Sequence, residues 1–200
     1  MYFTHVEGAQ PQLAPPVDPV ATPYRQNRYS VPKIKQLSDY RDRGAIGALL
    51  DEYERALEDL LAVMEEVQPE ELVAIVDPDT KDPDCRSIQS ILTHVVRSGY
   101  YYAEAIRVHQ GESLRHRRKQ RLQSIADYRR ALLEMFAYNE RVFEDYPRIK
   151  LIEKNPAKKI RVRWKQRYDV DQLLEHAICH LLRHRRQIER FLLRLRTQPS

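Results

Sequence analysis

The amino-acid sequence predicts an all-α protein, a four-helix bundle preceded by an extended N-terminal arm. Three observations carry the expectation. Apolar residues recur every third or fourth position along four long stretches, the period of a helix with one buried face. Almost nothing alternates between apolar and polar, so strand signal is slight. Glycine, which weakens helices, occurs only five times in 200 residues. Helices with a single apolar stripe must bury it against each other, and four of them make a bundle the economical arrangement.

Residues 1–37 are proline-rich and lack a helical period. They read as an arm, ordered only where Tyr2, Phe3, Tyr24 or Tyr29 meets an apolar surface. The bundle is expected over 38–200. Its first helix is predicted over about Ser38–Val67, with Ile46, Leu49, Leu50, Tyr53, Leu57, Leu60, Leu61 and Met64 as its stripe. Pro69 and the stretch "DPDTKDPD" break it. The second is predicted from near Ser87 to His109, with Ile88, Ile91, Leu92, Val95, Tyr102 and Ile106 inward, and "QGES" as its stop. The third runs from Ser124, a good N-cap, to Asp145 ahead of Pro147. Ile125, Tyr128, Leu132, Met135 and Val142 face inward along it. The fourth starts after Asp169, with Gln172 at the capping-box spacing, and continues to about Arg196. Before it, Ile160, Val162 and Trp164 alternate with basic residues and suggest a short hairpin. The longer linkers can cross the bundle, so connection lengths leave the topology open.

Composition excludes several classes. Hydrophobic residues make up 42% and charged residues 32%, as in a soluble globular domain. No run of eighteen apolar residues exists, so no membrane span is expected. The first residues lack a basic start followed by an apolar block, so a secretory signal is not expected. Two cysteines, Cys85 and Cys179, make no disulfide scaffold and read as reduced thiols in the cytoplasm. The net charge of +5 is uneven. Arg148–Arg167 holds nine basic residues and one acid, and "RHRRKQR" adds a second run at Arg115–Arg121. Solvated linkers are the commoner meaning of such runs, and base-stacking motifs are not apparent, so nucleic-acid binding is not favoured.

Histidine is the informative residue. Of seven in the chain, His176, His180 and His184 recur at four-residue spacing in "EHAICHLLRHRRQI". At about 100° per residue, Leu173, Ala177, Leu181, Ile188, Phe191, Leu192 and Leu195 cover one arc of the fourth helix. His184 falls inside that arc, His180 lies towards its edge and His176 at its border, with Arg183, Arg186 and Arg190 opposite. Two inward imidazoles one turn apart can aim two nitrogens at one metal ion, or can be core histidines satisfied by carbonyls; both readings stand. His94, on the flank of the second helix's arc one turn before Ser98, can face a neighbouring helix. His5, His109 and His116 read as solvated.

A histidine early in the second helix, preceded by "SIQSIL", and "HLLRHRRQI" on the last helix together resemble the DinB/YfiT-like superfamily. The resemblance covers about Ser38–Arg196 and excludes the arm. It implies that His94, His180 and His184 bind a divalent metal ion, usually zinc or nickel, and gives His176 no such role. Arg186 stands where many members carry glycine, which leaves the subfamily open.

Three neutral imidazoles leave an ion its full charge and an open position, the pattern of a catalytic site. Leu181 follows His180 where a metalloprotease helix carries glutamate, so water activation by a zincin motif is excluded. Glu104 and Glu175 map away from the apolar arcs. A substrate thiol that ionises on the metal needs less help from a base. The resemblance agrees, since the family includes S-transferases that use bacillithiol or mycothiol. The expectation is therefore a metal-dependent S-transferase joining a small-molecule thiol to an electrophile. The alternative is a non-catalytic metal-binding or nucleic-acid-associated stress protein. Tyr101, Tyr102 and Trp164 are candidate pocket residues. Cys179 points about 100° away from His180 and is expected to pack rather than ligate. A homodimer is the candidate assembly.

Overall fold

The computed structural model describes residues 36, 38, 40–113 and 119–197. All of the arm but residue 36, with His5 in it, and His116 therefore lie outside the described residues. The described chain forms α1 (Gly44–Glu65), α2 (Pro69–Val73), α3 (Ile88–His109), α4 (Ile125–Asp145), β1 (Ile160–Arg161), β2 (Arg167–Tyr168) and α5 (Val170–Thr197). Two 3-10 turns, Pro83–Cys85 and Pro156–Lys158, punctuate the linkers. The expected all-helical bundle is present, with α1, α3, α4 and α5 as its long members. Both α1 and α3 pack against α4 and α5, so the segment joining α1 to α3 crosses one end of the bundle. None of the described helices is long and apolar enough to cross a membrane.

Caps explain most of the boundaries. At α3, the Ser87 hydroxyl accepts from Ser90 N–H and the Ser90 hydroxyl accepts from Ser87 N–H, a reciprocal box. At α4, the Ser124 hydroxyl accepts from Asp127 N–H. At α5 only half the expected box forms. Gln172 Oε1 accepts from Asp169 N–H. The Asp169 carboxylate turns away, accepting from Glu153 N–H at 2.9 Å and Lys159 Nζ at 2.8 Å. Those two bonds hold the preceding linker against the start of α5. They also hold the Asp169 carboxyl below the usual range, Lys159 contributing most.

Two boundaries differ from expectation. The first long helix starts at Gly44, not Ser38. Its approach folds back along the helix: Arg41 N–H donates to Asp51, and the Arg41 guanidinium reaches Asp51, Glu54 and Glu140. Gly44 takes φ +55°, which turns the chain into the helix. The five-residue α2 was not expected. Pro69 sets its first turn, and Glu71 accepts from Gln68 N–H, so a residue read as a breaker is a helix start.

The hairpin suggested by the sequence forms, pairing Ile160 with Tyr168 and Arg161 with Arg167. Ile160 and Val162 are buried, whereas Trp164 stands in the turn. Lys165 closes that turn at φ +72°, a conformation glycine would adopt more readily. The basic linker spends part of its charge on this structure. Lys159 pairs with Asp169, and Arg167 donates to the carbonyls of Pro156 and Ala157.

The largest departure from a simple stripe is α3. It packs against α2, α4, α5, β1 and the 3-10 turn at Pro83–Cys85, and is buried around most of its girth. Glu104 is consequently buried at 6% exposure, not turned outwards as its wheel position suggested.

A Cβ added at Gly47 would lie 2.4 Å from the Arg41 carbonyl oxygen, closer than real contacts allow. Alanine normally stabilises a helix interior by about 1 kcal/mol over glycine. Here the sign reverses: Gly47→Ala is expected to lower unfolding free energy by about 1–3 kcal/mol, as overpacking does. Urea denaturation followed by circular dichroism checks this, and a gain in stability would contradict the close approach.

Candidate metal centre

Helix α3 carries His94 and α5 carries His180 and His184 one turn apart. The packing of α3 on α5 brings all three together across 86 positions of sequence, with His94 Nε2 2.9 Å from His180 Nε2. One ligand nitrogen from each residue lies within 4.8 Å of the others. Ring centroids are 4.4 Å apart for His180 and His184, and 5.1 Å for His94 and His184. His180 and His184 are buried and His94 is half-buried, as the helical wheels anticipated.

The outward nitrogens of two rings are anchored. His94 Nδ1 lies 3.2 Å from Asp84 Oδ2, and His184 Nδ1 lies 3.0 Å from Gln187 Oε1. Each acceptor oxygen favours a proton on Nδ1 and a lone pair on Nε2, which is the nitrogen facing the cluster. Asp84 is a hub. Besides His94 it accepts from Arg97 Nη2 at 3.1 Å and from Lys119 Nζ. Burial pushes the Asp84 carboxyl up, but the hydrogen bonds from Lys119 and His94 and the charges of Lys119 and Arg97 outweigh it, and the group stays ionised.

All three imidazoles are held neutral. Burial, then the neighbouring histidines and Arg183, lower His180 to about 2. Burial, then His94 and Arg183, lower His184 to about 4 despite the Gln187 hydrogen bond. Burial lowers His94 as well, against the pull of Asp84. Three neutral nitrogens with no carboxylate among them make a donor set suited to a borderline divalent ion. The residues therefore fit such an ion.

Two of the three clustered histidines, His94 and His180, line a cleft of about 570 Å³, within the range of small-molecule sites. His94, Arg97, Ser98, Tyr102, His176 and His180 line it from the helices, and Arg163, Trp164 and Gln166 from the hairpin; Arg183 closes its edge. His176, ambiguous in the sequence, stands at the rim. Its ring stacks on Trp164 at 5.5 Å and 24°, and it takes no part in the three-nitrogen cluster. Of the candidate pocket residues, Tyr102 and Trp164 line the cleft. Tyr101 sits beside it, accepting from Arg163 N–H at 2.8 Å and so fastening the hairpin turn to α3.

Other positions differ from the sequence reading. Cys179 is exposed instead of packed, because the offset that removes it from the cluster carries it to the surface. Arg183 projects from the polar side of α5, yet its long side chain reaches back so that Nη2 lies 3.4 Å from His184 Nε2. Glu175 and His109 are exposed, as expected. Asp84 and Gln187 were missed. Gln187 was findable, since it follows His184 at the i,i+3 spacing. Asp84 was not, since its segment read only as a helix breaker.

A family model described as the DinB superfamily matches residues 52–188, a span that contains all three clustered histidines. The chain belongs to the DinB superfamily. No curated protein and no solved structure matches it. Membership of the DinB superfamily and a histidine cluster compatible with a divalent metal thus rest on independent observations, one from sequence and one from geometry.

The lowered histidines predict an acid-labile metal-free protein. Histidine in an unfolded chain titrates near 6.5, whereas folded His184 and His180 titrate at about 4 and about 2. Below pH 6.5 the unfolded state binds more protons, so stability is complete above that pH and is lost as pH falls from 6.5 towards 4. The loss is on the order of 2 kcal/mol for each histidine at pH 5. Thermal melts of chelator-stripped protein at pH 7.5 and 5 check this, and His184→Gln is expected to shrink the difference.

Proposed function

We propose that His94, His180 and His184 hold one divalent ion, zinc or nickel, and that the protein is an enzyme transferring a small-molecule thiol to an electrophile. The observation that carries the reading is the set of three neutral imidazoles, converging from two helices with no carboxylate among them, two of which, His94 and His180, line an open cleft. A divalent ion held there supplies uncompensated positive charge, which stabilises a thiolate.

The chain's own residues account for the remaining work. Asp84 and Gln187 orient His94 and His184 through their outer nitrogens. Leu181, buried after His180, stands where a zincin carries its glutamate base, so that base is missing here. Burial raises the Tyr102 phenol, so it stays protonated and faces the cleft as a hydrogen-bond donor to a substrate oxygen. Trp164 and His176 form an aromatic wall that shields one side of the cleft from water.

Protein purified without an affinity histidine tag is expected to carry about one divalent ion per chain. His94→Ala, His180→Ala or His184→Ala should each empty the site, because water cannot replace one ligand of three. His176→Ala should retain the ion. Asp84→Asn should bind it about 10–100-fold more weakly, as losses of orienting carboxylates do. Elemental analysis and competition with a chelating dye measure all five. Metal lost from His176→Ala but kept by His94→Ala would overturn the ligand set.

Bacillithiol or another cellular thiol should add a sulfur-to-metal absorption band to the cobalt-substituted protein. The same thiol should conjugate faster to a model electrophile in its presence, and His184→Ala should show neither effect. A spectrum unchanged across a panel of thiols, with no rate gain, would leave a metal-binding bundle without transferase activity.

A further inference from the structure

The cleft beside the histidines carries three guanidinium groups and no carboxylate on its walls. Their commitments differ. Arg97 is paired, with Nη2 3.1 Å from Asp84. Arg163 and Arg183 have no carboxylate partner among the described residues. The Arg163 guanidinium lies over the face of Tyr101, 3.9 Å from the ring centroid. That contact holds the group against the ring, and no side-chain hydrogen bond of the Arg163 guanidinium is seen among the described residues. Arg183 makes one long contact, Nη2 to His184 Nε2 at 3.4 Å. The hairpin turn that presents Arg163 is itself held, by Tyr101 at the Arg163 N–H and by Gln166, which accepts from Trp164 Nε1 at 3.0 Å.

Two guanidiniums without a carboxylate partner in a concave site focus positive potential into it. Guanidinium presents a donor fork that matches the oxygens of a carboxylate or a phosphate. The electrostatics disfavour a cationic ligand and leave a neutral one without partners for these donors. The aromatic wall of Trp164 and His176 offers a flat surface to the ligand's uncharged part.

We propose that Arg163 and Arg183 form an oxyanion subsite in the cleft, binding the carboxylate or phosphate of the small molecule that reacts at the histidine cluster. The assignment of that molecule as a reactant rests on the transferase reading; the oxyanion subsite itself does not require a bound metal ion. Substrates lacking a negative group would then lose affinity at a point remote from the reacting atom, which makes the pair a specificity device.

Trp164 is the only tryptophan in the chain, so its emission reports on this cleft alone. The full chain, stripped of metal by dialysis, is titrated with succinate, with inorganic phosphate and with neutral succinamide at constant ionic strength. Emission and calorimetric heat are both followed. At least one anion is expected to bind saturably and succinamide not at all. Tighter succinate binding identifies a carboxylate ligand, and tighter phosphate binding a phosphate one. Arg163→Gln and Arg183→Gln should each weaken binding about 10–100-fold, the loss of a charge-assisted hydrogen bond. Arg190→Gln, at an exposed position of α5, should leave it unchanged. Circular dichroism shows whether Arg163→Gln disturbs the hairpin, and Arg183→Gln tests the subsite without touching it. Equal binding of succinamide, equal losses in Arg190→Gln, or no saturable heat with either anion would overturn the proposal. Because the protein is metal-free throughout, those outcomes leave the metal reading intact, and failure of the metal tests leaves the oxyanion subsite standing.

Discussion

Burial of α3 on nearly every side is the constraint from which the rest of the structure follows. A helix surrounded by α2, α4, α5 and the hairpin cannot present a polar residue without giving it a partner or a cavity. His94 receives both. Its outer nitrogen meets Asp84 and its inner nitrogen meets the histidines of α5. The same packing seats the Met135 side chain against Gly99, since a Cβ there would lie 2.2 Å from Met135 Sδ unless that side chain moved. Asn139 reaches across at that point and donates to the Gly99 carbonyl, closing the seam with a satisfied polar contact.

Electrostatics sort the site into two zones. Inside, burial keeps three imidazoles uncharged, so they present lone pairs at neutral pH without first releasing protons. Around them stand fixed cations, of which Arg97 and Lys119 share one carboxylate, Asp84, so that one of their two charges is offset. One buried carboxylate therefore does two things: it orients a histidine and offsets part of the charge of two cations that would otherwise repel any ion at the cluster. An apolar replacement of Asp84 would remove both effects together, whereas asparagine keeps part of the first.

How much of this could be read from the chain depended on the distance over which each feature is determined. The His180–His184 pair was legible because helical period alone places both on one face. Ser87 and Ser124 were legible because a cap acts within three residues. The meeting of His94 with α5 was not derivable from a wheel; it entered through the family resemblance, because nothing local records a contact 86 positions away. The late start of α1 has the same origin. Ser38–Arg43 has no helix breaker before Gly44, and only the pairing of Arg41 with Asp51 and Glu140 shows where that segment goes. Pro69 was read only in part: the break it marks is present, but the short helix it opens was missed. Proline both ends helices and begins them, and the glutamate two residues later was the deciding signal.

The linkage of α3 to α5 also has a meaning for the unfolded chain. His94 and His180 delimit a loop of 86 positions that contains all of α4 and the hairpin. Whatever bridges these rings ties that loop shut, and a permanent tie of such length removes on the order of 4–5 kcal/mol of chain entropy from the denatured ensemble. A reversible bridge shares the effect only while it is closed. An ion held by the cluster would thus act as a clasp on the fold, and a chelator able to pull it away would loosen two helices at once.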